Sequence, residues 1–383
     1  MSVHRTRRKD GASAYVVRWR EGRSNRQRTF DRRRDAELYE AEVRRRRQLG
    51  SLALLDSGTE TLHEYVTTTW GPAHLPTLAQ STRVNYAGFY DHHVQPWLGD
   101  LALREITPAV VARWQADRIA AGAGPVAVRR SLGLLGSVLQ WAVESEVIQR
   151  NPVRLVRKAP QPRKAEVRPL APVTIEAMRS YLLDGGSTHP QRDATLVSVL
   201  AYAGLRPGEA LALRWGDVRE NTLLVQRAVS YGEEKATKTN ANRSVRLVDP
   251  LRVDLAAWRL ASGRPSDEAL VFPSEDGELW SKAAFQSWRR RAFKRALTAA
   301  GVDQARPYDL RHSFASLLLH EGRSVIYTAR QLGHDARLTL TVYGHVVEEL
   351  DDAPSHDMAA SIRTAREPHV RASFASALPG GTG

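Results

Sequence analysis

The chain contains no cysteine, which excludes disulfides, thiolate metal sites and a cysteine nucleophile. It has no apolar run near the ~18 residues of a membrane span, and Met1 to Arg8 offers no hydrophobic stretch for a signal peptide. Its 12 histidines never fall at metal-ligand spacing with carboxylates, so no metal is expected. No internal repeat is visible. These absences point to a soluble, cytoplasmic chain. What it has in quantity is positive charge: 56 Lys and Arg against 42 Asp and Glu, a net +14. Residues 1–50 hold 16 Lys or Arg and 7 Asp or Glu, and so carry +9 of that excess. Such a basic amino-terminal end suggests a polyanion partner. With 42% hydrophobic residues the chain can build real cores, and 383 residues suit two or three domains at roughly 150 each.

Residues 1–50 read as a small basic module. Tyr15, Val17 and Trp19 alternate with Val16, Arg18 and Arg20, the period of a strand. Glu21-Gly22 offers a turn and Arg26 to Phe30 a second strand, which predicts a hairpin. Arg26 and Arg28 share their parity with Phe30, which blurs the pattern there. Asp31 is placed to cap a helix with Ala36, Tyr39 and Val43 on its apolar face, ended by Gly50. An arginine-bearing sheet of this kind can enter a DNA major groove, with Arg18, Arg20, Arg26 and Arg28 as the candidate contacts. Residues 60–153 read as wholly helical. Thr107-Pro108 and Gly124-Pro125 open helices and Asn151-Pro152 closes the second. Trp70, Trp97, Trp114 and Trp141 are expected in its core. Residues 154–168 form a stiff basic linker, with Pro160 and Pro162 and the cations Arg157 and Lys158 suited to a nucleic-acid duplex. Residues 169–350 read as mainly helical, with helices near 172–184, 192–203, 250–261, 281–300, 309–320 and 324–332. Thr222 to Val229 and Ser244 to Val248 are β-rich and joined by a hairpin tip over Gly232 to Asn242. Residues 351–383 form a tail whose last fifteen or so are expected to be disordered.

Four short stretches of 169–350 set polar residues at element ends. Arg206 precedes a Pro-Gly turn, with Glu209 three residues on; alone they suit an i,i+3 ion pair. Lys238 sits on the hairpin tip. Tyr308, Asp309, Arg311 and His312 open an amphipathic helix that Asp309 can cap. Leu332-Gly333-His334 is followed by Tyr343 and then His345.

The order and spacing of these stretches resemble the tyrosine recombinases, the phage-integrase family. The resemblance rests on Gly204-Leu205-Arg206 with Glu209, the Lys238-Thr239 hairpin before Arg243-Ser244-Val245-Arg246-Leu247, Asp309 to His312, and Leu332-Gly333-His334 with Tyr343 nine residues later. It implies a multidomain, mainly α protein with small β elements. Residues 1–50 would be a β-sheet and helix arm-binding module, 60–153 a helical, SAM-like core-binding domain, and 169–350 a mixed α/β catalytic domain. It also implies DNA strand exchange without metal or cofactor. Tyr343 would be the nucleophile, forming a 3′-phosphotyrosyl bond that conserves the phosphodiester energy. Arg206, Arg311 and His334 would stabilise the phosphorane and Lys238 would protonate the leaving 5′ oxygen. Glu209 would orient its neighbours. His345 follows a common family pattern, as a supporting residue. One position departs: Tyr308 stands where the family has a histidine, and a phenol with a free pKa near ~10 is a poor base at neutral pH. His312, turned about 100° from Arg311 on a helix, packs rather than reacts in the family. The implied partners are attachment-site double-stranded DNA, a homotetramer on that DNA, a directionality factor and a host DNA-bending protein, in a bacterial cytoplasm. The competing readings are a catalytically impaired DNA-binding relative and a type IB topoisomerase.

Overall fold

A computed structural model describes residues 3–8, 12–21, 24–50, 52, 57–160, 169–230, 232–236, 242–350 and 357–377. The amino-terminal module is a three-stranded antiparallel sheet, β1 (Val3–Arg7), β2 (Ser13–Glu21) and β3 (Ser24–Phe30), followed by the helix Arg33–Gln48. The expected hairpin thus gains a strand from residues whose alternation was too polar to register. Across the β2–β3 ladder Tyr15 pairs with Phe30, Val17 with Arg28 and Trp19 with Arg26. Directly paired residues share a face, so Arg26 and Arg28 lie on the side of Val17 and Trp19, opposite Arg18 and Arg20. The four candidate arginines therefore do not form one outward face. Arg28 instead lays its guanidinium 5.0 Å from the Tyr39 ring centre, and Tyr39 packs 5.5 Å from Trp19. Ala36 and Val43 are fully buried beneath the sheet, and Gly50 ends the segment at φ 68°. Asp31 does not cap the helix: it pairs with Arg8, and Arg32 takes the cap position without a side-chain bond.

This module shares the compact unit Met1–Lys164 with a helical core of its own, built on Leu62, Trp70, Trp114, Leu135 and Leu139. Thr107 accepts from the Val110 amide and starts the helix Pro108–Ala120, and the helix Pro125–Glu144 follows. That second helix stops at Glu144, seven residues before Asn151. Asn151 opens a separate short turn, Pro152–Leu155, by accepting from the Val153 amide. Trp70 and Trp114 are core residues, but Trp97 is 44% exposed with the Arg118 guanidinium stacked 3.6 Å from its ring centre. The start of the linker is tied down. Gln115, buried on the Pro108–Ala120 helix, donates to the Arg157 carbonyl and accepts from the Ala159 amide. The Arg157 and Lys158 side chains stay exposed.

The second unit is Ala165–Gly383. Its central helix, Pro190–Tyr202, is buried on every side from Arg192 onward, as a core helix is. Helices Pro172–Tyr181, Asp249–Ala261 and Leu310–His320 pack around it. The β region is two small antiparallel pairs rather than one hairpin. β4 (Thr222–Val225) pairs with β7 (Arg243–Arg246), and β5 (Arg227–Ser230) with β6 (Glu233–Ala236), so strand occupies the start of the expected tip. Among the described residues of the tail, a helix reaches into the stretch whose composition suggested disorder. Met358–Ala377 is helical, with Met358 and Ile362 buried in the core. Arg366 reaches Glu176 and Asp254, which Arg179 also binds. This buried network of two carboxylates and two guanidiniums is neutral overall, with the Arg179 Nε left without a partner.

Candidate active site

The site is assembled where three element ends meet. The central helix ends at Tyr202, and Gly204 turns the chain with φ 59°. A side chain there would overlap the Phe314 ring, which explains the glycine before Leu205-Arg206. Arg206 is extended, and Pro207 starts the short helix Pro207–Leu211. Glu209, one turn in, accepts the Arg206 amide at 2.8 Å and its Nη1 at 2.7 Å. From β7 Arg243 donates Nη1 and Nη2 to the same carboxylate at 3.0 and 2.6 Å. Burial alone would push Glu209 up, but Arg243 and then Arg206 hold it at about 2.

The helix Val325–Leu332 presents its last carbonyls to the same arginines. Arg243 Nε donates to the Gln331 oxygen at 3.0 Å, Arg311 Nη2 to that of Leu332, and Arg206 Nη2 to that of Gly333 at 3.1 Å. Carbonyls at a helix C-terminus lack helical partners and carry the negative end of the dipole. Three guanidiniums therefore converge with a single carboxylate among them, leaving a net charge of about +2. Arg311 is 2% exposed, and its Nη1 donates to the Gly204 oxygen at 2.5 Å. Burial, then Arg206 and Arg243, lower it to about 10, so it remains charged at neutral pH. Gly333 must also be small: it has φ 65°, and a Cβ would fall 2.8 Å from Arg243 Cδ.

His334 follows directly, its Nδ1 3.2 Å from the Asp335 carbonyl oxygen. Burial and the three arginines lower its pKa against the opposing pull of that carbonyl. Tyr343, on the helix Ala336–Leu350, is 2% exposed in the core of the unit, and its hydroxyl lies 2.5 Å from His312 Nδ1. Burial raises the phenol well above its ordinary range, with Arg311 pulling the other way. Tyr308 is 40% exposed and meets the His312 ring edge-on at 5.7 Å. Lys238 lies outside the described residues, as does the side chain of His345.

The structure thus joins Arg206 to Glu209, ties Arg206 and Arg311 to the Gly333 and Leu332 carbonyls with His334 next in the chain, and sets Tyr343 against His312. Two residues outside the expected set belong with them. Arg243 shares its strand face with the fully buried Val245, so strand alternation could have pointed it inward. His312 stands four residues after Tyr308, the spacing of one helix face, and its Nδ1 is at hydrogen-bond distance from the Tyr343 hydroxyl.

Two predictions arise from this geometry. Glu209→Gln should cost about 3 kcal/mol in urea unfolding at pH 7, because Arg243 and Arg206 hold its carboxyl at about 2, well below the ordinary carboxylate range. Since the folded pKa is the lower one, this stability is full above about 4.5 and is lost as pH falls towards 2. The wild-type advantage over Glu209→Gln should therefore shrink across that window, and an equal midpoint at pH 7 would refute the clamp. Tyr308→Phe should cleave within about threefold of wild type in single-turnover assays, a difference of ~0.7 kcal/mol. A larger loss would give the exposed hydroxyl a chemical role.

Profiles of known families agree with this constellation. The phage integrase family matches residues 171–349, and the phage integrase central domain residues 63–159. The chain belongs to the phage integrase family of tyrosine recombinases and is a site-specific DNA strand-exchange enzyme. The integrase of Mycobacterium phage L5 is 28% identical over 302 residues, covering 75% of this chain and 76% of that one. The ICEBs1 integrase of Bacillus subtilis is 26% identical over 269 residues, 66% and 71% of the two chains. Among solved structures, a lambda integrase dimer bound to a COC′ core site superposes with a TM-score of 0.61 at 17% identity, covering 92% of this chain and 97% of that one. The Tn1549 transposon integrase in complex with a circular intermediate DNA also gives 0.61, at 16% identity over 80% and 99%. These last two likenesses establish the multidomain fold. The impaired and topoisomerase readings find no comparable support. No helix among the described residues is long and apolar enough to cross a membrane.

Proposed function

We propose that the enzyme integrates or excises a phage or other mobile element by cutting double-stranded DNA at attachment sites through a 3′-phosphotyrosyl bond to Tyr343. The observation that carries this reading is the convergence of Arg206, Arg243 and Arg311 on the 331–333 carbonyls, with Tyr343 in the same unit. Fixed cations cost no reorganisation when charge builds on the non-bridging oxygens of a phosphorane. Arg206 and Arg311 bind those oxygens, and Glu209 with Arg243 keeps Arg206 aimed. With Nδ1 hydrogen-bonded to Asp335, the His334 Nε2 donates to phosphate when the ring is charged, a state the phosphate favours. Lys238, between β6 and β7, protonates the departing 5′ oxygen. Lambda integrase has been captured as a tetramer on a Holliday junction, and a homotetramer on DNA suits the same exchange in this chain. A directionality factor and a host DNA-bending protein would complete the assembly, in a bacterial cytoplasm.

Residues 1–50 would hold arm-type DNA, with Arg18 and Arg20 on the sheet face away from its helix, while Arg157 and Lys158 lie along the core duplex. Deleting residues 1–50 should leave cleavage of core sites intact and lower recombination of full arm-bearing substrates at least ~10-fold. Full recombination by the truncated protein would refute the arm assignment, and loss of core cleavage would place the module in the catalytic reaction.

A further inference from the structure

A tyrosine attacks phosphorus as the phenolate, so something must take its proton. Burial holds the Tyr343 proton more tightly than that of a free phenol, which makes an acceptor at hydrogen-bond distance more important. The position the resemblance reserves for that acceptor holds Tyr308, itself a phenol, 40% exposed and turned edge-on to His312. His312 lies four residues further along the same helix face, one turn or about 6 Å on. Its Nδ1 stands 2.5 Å from the Tyr343 hydroxyl, and the two rings are 5.7 Å apart and tilted by 55°. Arg311, the adjacent residue, is fixed by the carbonyls of Gly204 and Leu332, so the helix start that carries both side chains is anchored.

We propose that His312 is a catalytic residue of this enzyme, the general base that takes the Tyr343 proton during strand cleavage in place of the histidine replaced by Tyr308. The inference rests on Tyr343 being the nucleophile. In cleavage the phenol O–H bond breaks, its proton passes to His312 Nδ1, and the phenolate oxygen bonds to phosphorus. The phosphorus to 5′-oxygen bond breaks, and that oxygen leaves with a proton from Lys238. In rejoining, a 5′ hydroxyl gives its proton back to Lys238 and attacks phosphorus. The tyrosyl oxygen leaves and recovers its proton from the His312 imidazolium. No oxidant, metal or net proton is consumed over the cycle. Proton transfer by a placed side chain contributes ~10²–10⁴ in rate.

The test is His312→Asn in the full chain, assayed on a nicked duplex taken from the DNA flanking its gene. The asparagine amide falls near the position of Nδ1, so it can hold the Tyr343 hydroxyl but cannot take its proton. Single-turnover adduct formation should fall about 10²-fold with DNA binding unchanged. A ring-fluorinated tyrosine incorporated at position 343, which ionises at lower pH, should restore at least ~10-fold of that loss at pH 8. His312→Gln gives a second variant should the asparagine not fold. A His312→Asn rate within about threefold of wild type would overturn the proposal. So would a loss that the fluorinated tyrosine does not relieve while DNA binding persists, because that pattern belongs to a packing role. Tyr343→Phe, run beside it, separates the two readings: an adduct surviving in that variant would refute the nucleophile itself and not merely its base.

Discussion

Tyr343→Phe is expected to bind attachment-site DNA as the unaltered protein does and to form no covalent adduct. Tyr343 is 2% exposed within the catalytic core, and phenylalanine fills the same space minus one hydroxyl. The fold should therefore survive at a cost of about 1 kcal/mol, the value of the lost bond to His312. The chemistry should not survive, because phenylalanine has no oxygen with which to attack phosphorus. The check is a nicked duplex incubated in EDTA and run on a denaturing gel. Wild type should retain DNA on the protein, independent of divalent metal. The same experiment tests whether cleavage needs a metal: among the described residues no group of acids and histidines could hold one.

The second large effect falls on Arg311, through two separate losses in Arg311→Ala. Removing one fixed donor from a phosphorane site costs ~10²–10³ in rate. The carbonyls of Gly204 and Leu332 would also lose their partner in a buried setting, at about 1–3 kcal/mol each. Arg311→Ala should therefore cleave at least ~10²-fold more slowly and unfold at a lower urea midpoint. Arg311→Lys separates charge from shape, since an ammonium cannot reproduce the planar fork that serves two carbonyls and, in the proposed reaction, the phosphate. It should recover part of the stability and little of the rate. Cleavage by the alanine variant within tenfold of wild type would remove Arg311 from the reaction.

Much of the catalytic unit was legible because its signals are local. Pro172, Pro190, Pro207 and Ser324 mark helix starts, and the glycines at 204 and 333 mark turns that a Cβ would obstruct. What escaped depended on pairing across the chain. β1 has mostly exposed residues, so its membership in the sheet rests on backbone pairing with β2 and not on an apolar face. Arg26 and Arg28 looked like outward residues until the register with Val17 and Trp19 set their side. The tail helix is held by Arg366 reaching across to Glu176 and Asp254, contacts that local composition does not announce. The same holds for the site. The motif residues follow from spacing, but Arg243 joins them through Glu209 and the Gln331 carbonyl, and His312 through a residue on another helix. The +14 net charge pointed to a nucleic acid. The proposed reaction would depend on a few guanidiniums whose charge is nearly lost in that total, held by one carboxylate and the end of one helix.

The most direct measurement is to map the bond itself. The adduct trapped on a nicked attachment-site duplex can be digested with trypsin and nuclease, and the modified peptide sequenced by mass spectrometry. A phosphodiester from Tyr343 to a 3′ nucleotide is the predicted result. A 5′ linkage, or a nucleotide carried by any other residue, would contradict it.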